Sequence, residues 1–223
     1  MLDRMRQESA KHLTHGRRGR WDGAGVMLDA PGSNDRLDLR AAFGRGGLVE
    51  VEIGTGKGTF LLARAAARPD VNFLGIEYAG AYCHYAADRI RRAGLSNVRM
   101  LQADAGHVFR AAMPEGGLWR VHVYFPDPWP KRRHHRRRLI QPPFADDARR
   151  ALLPGGQLLI VTDHLDYFRQ IAAVLYRARG WATCPFPSLT DATGEIVGTN
   201  FERKYIAEGR AFHAAARMKL AAR

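Results

Sequence analysis

From Leu48 onward, short apolar and β-branched stretches take turns with stretches of helical character, and no other feature restricts the fold so strongly. Leu48–Ile53, Val71–Glu77, Val98–Ala103, Arg120–Phe125 and Gln157–Thr162 read as strands. Thr59–Arg68, Ala81–Ala93, Pro142–Leu153 and Leu165–Arg179 read as helices, with a short helix after Ala103 and with Pro154-Gly155-Gly156 ending the third. Strands separated by helices of this length predict parallel βαβ units, hence a Rossmann-like α/β fold with helices on both faces of a mostly parallel sheet. The strands read as apolar on both faces, as in a sheet covered from each side. The tail from Trp181 is less regular and has room for one or two antiparallel strands at the end of the sheet. Residues 1–46 are basic and Gly-rich with little periodicity, so a partly ordered N-terminal arm is expected before a catalytic domain at 47–223. No internal repeat is present.

In such a fold the ligand crevice opens where the first strand turns into the first helix. Glu52-Ile53-Gly54-Thr55-Gly56-Lys57-Gly58 occupies that turn. A Walker loop needs a Lys followed by Ser or Thr at a wider glycine spacing, and a dinucleotide fingerprint needs one more residue before its last glycine. The E/D-x-G-x-G-x-G pattern of an S-adenosylmethionine loop is complete here, with Glu52 leading and Gly54 and Gly56 in the turn. Glu77 ends the second strand, where a carboxylate can accept both hydroxyls of a ribose and repel a phosphorylated one. Asp104 ends the third, within reach of an adenine amino group. Singly, each acid can be an ordinary helix cap. On successive strand tips, without a phosphate-binding lysine, they suit a cationic, phosphate-free nucleoside.

The formal net charge is +13 and the pI about 10.5, which favours a polyanionic partner. The charge is densest just after the fourth strand, in Phe125-Pro126-Asp127-Pro128-Trp129-Pro130-Lys131-Arg132-Arg133-His134-His135-Arg136-Arg137-Arg138. Prolines hold Asp127 and Trp129 at the crevice mouth with little freedom, and the basic run beside them is placed to meet nucleic-acid phosphates. The two cysteines, Cys83 and Cys184, are too far apart in sequence for a metal or redox spacing. The histidines lack a matching set of ligands, so no metal is expected. Nor is there a leader-like apolar core or an apolar run of about 18 residues. A cytoplasmic protein without membrane contact is expected, as monomer or homodimer.

Residues 48–212, about three quarters of the chain, resemble the bacterial tRNA (guanine-N7)-methyltransferases, a class I methyltransferase family. The carrying motifs are Glu52 to Gly58, Gly75-Ile76-Glu77, Phe125 to Lys131 with its basic continuation, Thr162-Asp163, and Thr199-Asn200-Phe201-Glu202-Arg203-Lys204. Family members commonly carry Arg-Gly shortly after the Phe-Glu pair, where this chain has Lys204-Tyr205-Ile206. The resemblance implies S-adenosylmethionine as cofactor, held by Glu52, Glu77, Asp104 and Asp127. It implies a substrate nucleotide contacted by Lys131, Asp163, Thr199, Asn200, Phe201 and Glu202, and RNA contacts from Arg133, His134, His135, Arg136, Arg137 and Arg138. The reaction implied is methyl transfer to N7 of a guanine in the variable loop of tRNA.

Guanine N7 carries an in-plane lone pair and no proton, so attack needs positioning and electrostatics and no general base. Asp127 is the first choice for stabilising charge, and Asp163 the second. Trp129 can stack on a flipped base or anchor the loop, and Phe201 can stack or belong to the core. An amino-methyltransferase acting on another RNA or DNA base, and a non-catalytic RNA-binding module, are the competing readings. The former usually carries Asp/Asn-Pro-Pro-aromatic at this strand end, and here Trp129 follows Pro128.

Overall fold

Alternating strand and helix patterns build one sheet, seen in the computed structural model, which describes residues 21–32, 35–189 and 195–221. Its elements are β1 (Met27–Leu28), α1 (Leu39–Phe43), β2 (Val49–Ile53), α2 (Thr59–Ala67), β3 (Asn72–Glu77), α3 (Gly80–Arg92), β4 (Val98–Gln102), α4 (Ala105–His107), β5 (Leu118–Tyr124), α5 (Pro142–Ala151), β6 (Leu152–Thr162), α6 (Leu165–Arg177), β7 (Trp181–Thr183), α7 (Asn200–Ala207) and β8 (His213–Lys219). A π turn, Val108–Ala112, continues α4, and a 3₁₀ turn, Arg132–Arg137, precedes α5.

The sheet order is β1-β4-β3-β2-β5-β6-β8-β7. Strands β1 to β6 pair in parallel, while β8 runs antiparallel to both β6 and β7. The mostly parallel sheet with antiparallel C-terminal strands is therefore present, and α7 between them is an element that the sequence pattern does not announce. The chain winds outward from β2 to β4, returns, and winds the other way through β5 and β6. The switch lies between β2 and β5, and it opens the crevice at their carboxyl ends.

Among the described residues, two elements precede residue 47. Met27 and Leu28 pair with Met100 and Leu101 of β4, and Asp38 caps α1 by accepting from the Ala41 amide at 2.9 Å. The earlier part of the basic arm, His15–Arg20 included, lies outside the described residues.

Pro154-Gly155-Gly156 does not simply stop a helix. The helix ends at Ala151, and β6 starts at once with a bulge, so that Leu118 faces Leu152 while Arg120 already faces Gln157. A Cβ on Gly156 would lie 2.9 Å from the Leu153 carbonyl oxygen and 3.0 Å from that of Trp119, so only glycine fits.

The strands are not apolar on both faces throughout. Val49, Val51 and Ile53 face a core with α5 and α6, while Glu50 and Glu52 alternate with them toward α2. Opposite, Arg120 and His122 of β5 pair in register with Glu50 and Glu52. A buried polar stripe thus runs between the two strands that frame the crevice. The sequence expectation fails here because burial of a strand residue is set by what covers it, not by its own polarity.

Candidate active site

A cavity of about 450 Å³ opens at the carboxyl tips of β2, β3, β5 and β6, and the segment from Thr199 to Arg210 closes its remaining side. It brings together Glu52, Gly54, Gly56, Glu77, Asp127, Asp163, Thr199, Asn200 and Phe201 from the sequence-derived set. Its size is that of a pocket for a small-molecule ligand.

The floor is the glycine loop. Gly54, Gly56 and Gly58 have φ of 76°, 53° and 70°, values that penalise any side chain. No atom lies within 4 Å of where a Cβ would stand on Gly54 or Gly56, so the backbone is open to close approach. Glu77 fixes the loop: its Oε2 accepts from the Gly56 amide and its Oε1 from the Ala79 amide, each at 2.9 Å. A carboxylate offers about four lone-pair sites, so each oxygen keeps one for a ligand hydroxyl. Glu52 is 3% exposed, and its Oε2 has no hydrogen-bond partner. Burial, reinforced by the charge of Glu77, pushes its carboxyl well above the usual carboxylate range.

The rim carries Asp127. Phe125 and Trp129 bracket it with φ of 49° and 42°, a left-handed conformation uncommon outside glycine. Trp129 is held by the Arg137 guanidinium, 4.9 Å from its ring centre, and by an edge contact with His134 at 5.9 Å. It does not line the cavity, and these contacts make it a loop anchor. Phe201 does line it, 37% exposed, with Phe125 and Tyr205 behind its ring. Asp163 lines the cavity with its carboxylate 2.9 Å from Arg210.

Four sequence-derived assignments fall elsewhere. Asp104 does not line the cavity, and its carboxylate caps α4 by accepting from the His107 amide at 2.8 Å. Lys131 is exposed outside the cavity at the start of the 3₁₀ turn, because the prolines before it direct the chain away. Arg138 is 2% exposed: it donates to the Pro128 carbonyl at 2.7 Å, Gln170 at 2.8 Å and Asp166 at 2.6 Å, and its guanidinium lies 4.9 Å from the Tyr167 ring centre. It anchors the loop and has no surface for RNA. Glu202 is wholly buried and accepts from the amides of Ile196, Val197 (3.0 Å) and Gly198 (2.7 Å), so it shapes the wall from behind. Arg133, Arg136 and Arg137 stay exposed; His134 and His135 are half-buried. Partial desolvation and the charges of Arg137 and Arg133 lower the His134 pKa.

Lys57, Phe125 and Lys204 stand in the sequence motifs without a site role, Tyr205 appears there only as a departure from the family pattern, and Tyr82, Tyr124 and Arg210 are not singled out; all seven line the cavity. Arg210, just beyond α7, stacks 4.4 Å from the Tyr205 ring centre through the local geometry of the helix end, while its pairing with Asp163 at the tip of β6 goes with the antiparallel return of the chain in β8. Tyr124 ends the buried polar stripe. Its hydroxyl lies 2.6 Å from His122 Nδ1, and His122 Nε2 lies 2.9 Å from Glu50 Oε2. Arg120 stands 3.4 Å and Arg64 3.9 Å from the same carboxylate. Burial alone would raise the Glu50 pKa, but the His122 hydrogen bond and the two guanidinium charges outweigh it and lower it. Burial lowers that of His122 against the pull of Glu50. The consistent assignment is ionised Glu50 accepting from Nε2–H of a neutral His122, whose Nδ1 accepts from the Tyr124 hydroxyl.

This network has a pH signature. Unfolded histidine takes up a proton as pH falls through about 6.5, while folded His122 resists it. The unfolded state then binds more protons, so stability drops on the acid side of about pH 6.5. His122→Gln keeps a polar side chain that does not titrate. Urea midpoints at about pH 7.5 and pH 5.5 should therefore lie closer together in the variant than in the parent protein. An equal gap in both proteins would place the acid sensitivity elsewhere.

A family model described as "Putative methyltransferase" matches residues 47–215. A protein of Alkalilimnicola ehrlichii named tRNA (guanine-N(7)-)-methyltransferase is 37% identical over 182 residues, 82% of this chain and 77% of its own length. Proteins with the same name are 42% identical in Nitrosococcus oceani, covering 65% of this chain and 61% of that protein, and 43% identical in Bordetella pertussis, covering 74% and 65%. The matched part of the chain thus spans from about three fifths to about three quarters of these relatives. Among solved structures, the 16S rRNA methyltransferase KamB superposes with a TM-score of 0.62 at 15% identity, covering 83% of this chain and 95% of that one. TrmN from Thermus thermophilus superposes with a TM-score of 0.53 at 24% identity, covering 82% and 47%. These two likenesses concern the fold.

Proposed function

The chain belongs to the methyltransferase family that its relatives, named tRNA (guanine-N(7)-)-methyltransferase, represent, and on that premise we propose that it transfers a methyl group from S-adenosylmethionine to N7 of a guanine in tRNA, in the variable loop. The observation that carries the donor is the floor of the cavity. A carboxyl buried with one oxygen unpartnered, beside a second carboxylate and an open glycine backbone, fits a ligand bearing an ammonium, a sulfonium and a ribose. Glu52 would face its positive charge and Glu77 its hydroxyls. Asp104, outside the cavity, is left as a cap unless the adenine extends toward α4.

When bound, the donor supplies an electrophilic methyl group that is already activated. The chain's own residues then have positioning and charge work to do. Asp127 and Asp163 line the cavity, and their carboxylates would stabilise positive charge as it leaves one partner and arrives on the other. The Arg210 ion pair neutralises part of Asp163, and the backbone held at positive φ on either side of Asp127 supports that carboxylate as the principal group. Phe201 presents a ring face on which a base can stack, worth about 1–3 kcal/mol per base. Arg133, Arg136 and Arg137 offer charge to phosphates on the same side of the molecule as the rim that Trp129 anchors.

The test uses unmodified tRNA transcripts, labelled donor and nucleoside mapping. Label should appear as 7-methylguanosine in the variable loop. Label on an exocyclic amino group, or on a different base, would replace this reading by the amino-methyltransferase one.

A further inference from the structure

A second cavity, of about 680 Å³, lies behind the 3₁₀ turn, between that turn, the start of α5 and the end of α6. We propose that it is a second RNA site, which takes backbone phosphates of the substrate at a distance from the target nucleotide; this rests on tRNA being the substrate.

Three guanidinium groups line it: Arg136 from the turn, Arg177 from the end of α6 and Arg179 just beyond it. All three are exposed, and none pairs with a carboxylate among the described residues. The wall carries one acid, Asp146, so the balance is positive. Cations at the carboxyl end of a helix are ordinary, since they complement its dipole. That ordinary explanation covers Arg177 and leaves out Arg136, which reaches the same space from the opposite wall. Unpaired cations facing each other across a cleft repel one another and gain from an anion between them. The guanidinium fork suits phosphate oxygens in particular.

The two cavities share a wall through one side chain. Arg138 donates to the carbonyl of Pro128, which borders the first cavity, and to Gln170, which borders the second; its Nη2 lies 3.0 Å from His135 Nε2, also in the second wall. A strand of RNA that leaves the rim along the exposed arginines of the turn therefore reaches Arg136 and then Arg177 and Arg179. Charge there adds affinity without touching the reacting atoms.

The experiment compares the parent protein with Arg177→Ala/Arg179→Ala, measuring tRNA affinity over a salt series. It also follows donor binding by calorimetry and turnover at saturating tRNA. Each lost phosphate contact should make the slope of log affinity against log salt shallower by about 0.7–0.9. The pair should thus lose about 1.5 in slope and roughly tenfold in affinity near physiological salt. Donor binding and kcat should stay within about twofold, because neither residue meets the first cavity. Arg177→Lys/Arg179→Lys keeps the charge and should keep most of the slope. Arg40→Ala/Arg110→Ala removes the same charge from other exposed positions and controls for the bulk field. A parent-like slope in the alanine pair, or an equal loss in the control pair, overturns the proposal. Should the pair not fold, Arg179→Gln gives the same reading at half the size. Binding is read independently of methylation, so a protein that binds tRNA with these dependences yet labels another base would sink the assigned reaction and leave the second site standing.

Discussion

Asp127→Ala should lower single-turnover methyl transfer about a hundred- to a thousandfold, with tRNA affinity nearly unchanged. That is the usual cost of removing one preorganised group aimed at charge in the transition state. The expectation rests on how firmly the backbone presents this carboxylate. Phe125 and Trp129 are held at positive φ on either side of it, and the Pro128 carbonyl is tied down by buried Arg138. Conformations costing of order 1–3 kcal/mol persist only where their surroundings impose them. The reward is a group that need not reorganise when charge moves. Single-turnover rates and tRNA affinity, measured side by side, separate this role from simple binding: a rate within about threefold of the parent, or a loss confined to affinity, removes Asp127 from the chemistry.

The second large effect concerns stability. Glu202→Ala leaves the amides of Ile196, Val197 and Gly198 without their acceptor in a buried place. Each orphaned group costs about 1–3 kcal/mol, so a total of about 3–9 kcal/mol is expected against a whole-domain stability of about 5–15 kcal/mol. For a chain of this length that is a Tm lower by about 6 °C or more. The cavity wall should loosen with it, because the backbone that Glu202 holds at Val197 and Gly198 leads directly into Thr199 and Asn200, which line the cavity. Glu202→Gln keeps one acceptor and should lose about half as much. The opposite pattern, an unchanged Tm with a raised KM for tRNA, would restore the direct substrate contact expected from the motif alone.

Local chemistry was what made the first half of the site readable. The glycine loop and the tip of β3 lie within 26 residues of one another in sequence, from Glu52 to Glu77, and their geometry follows from turn requirements that glycine and a carboxylate satisfy nearby. The basic run was equally visible as a run, but not the direction of each member. Arg137 caps a ring at the surface while its neighbour Arg138 is enclosed, a difference set by α6 packing across the turn. Glu50 and His122 sit 72 positions apart, and nothing local marks them as partners. Asp104 and Glu202 share a lesson: a carboxylate at a strand tip or beside a helix start has backbone amides at hand, and these amides claimed both. Arg210 needed the antiparallel return of the chain, which periodicity could only outline.

The position of β8 bears on how the molecule comes to exist. This strand is inserted between β6 and β7, although β7 is made first. Until synthesis has passed Lys219, the outer edge of β6 has no neighbour, and an open edge invites pairing with other chains. The nascent polypeptide can assemble the winding from β1 to β6 as it emerges. Completion of the chamber has to wait until β8 has been made and has slotted in between β6 and β7, and the interval before that is when the open sheet edge most needs shelter.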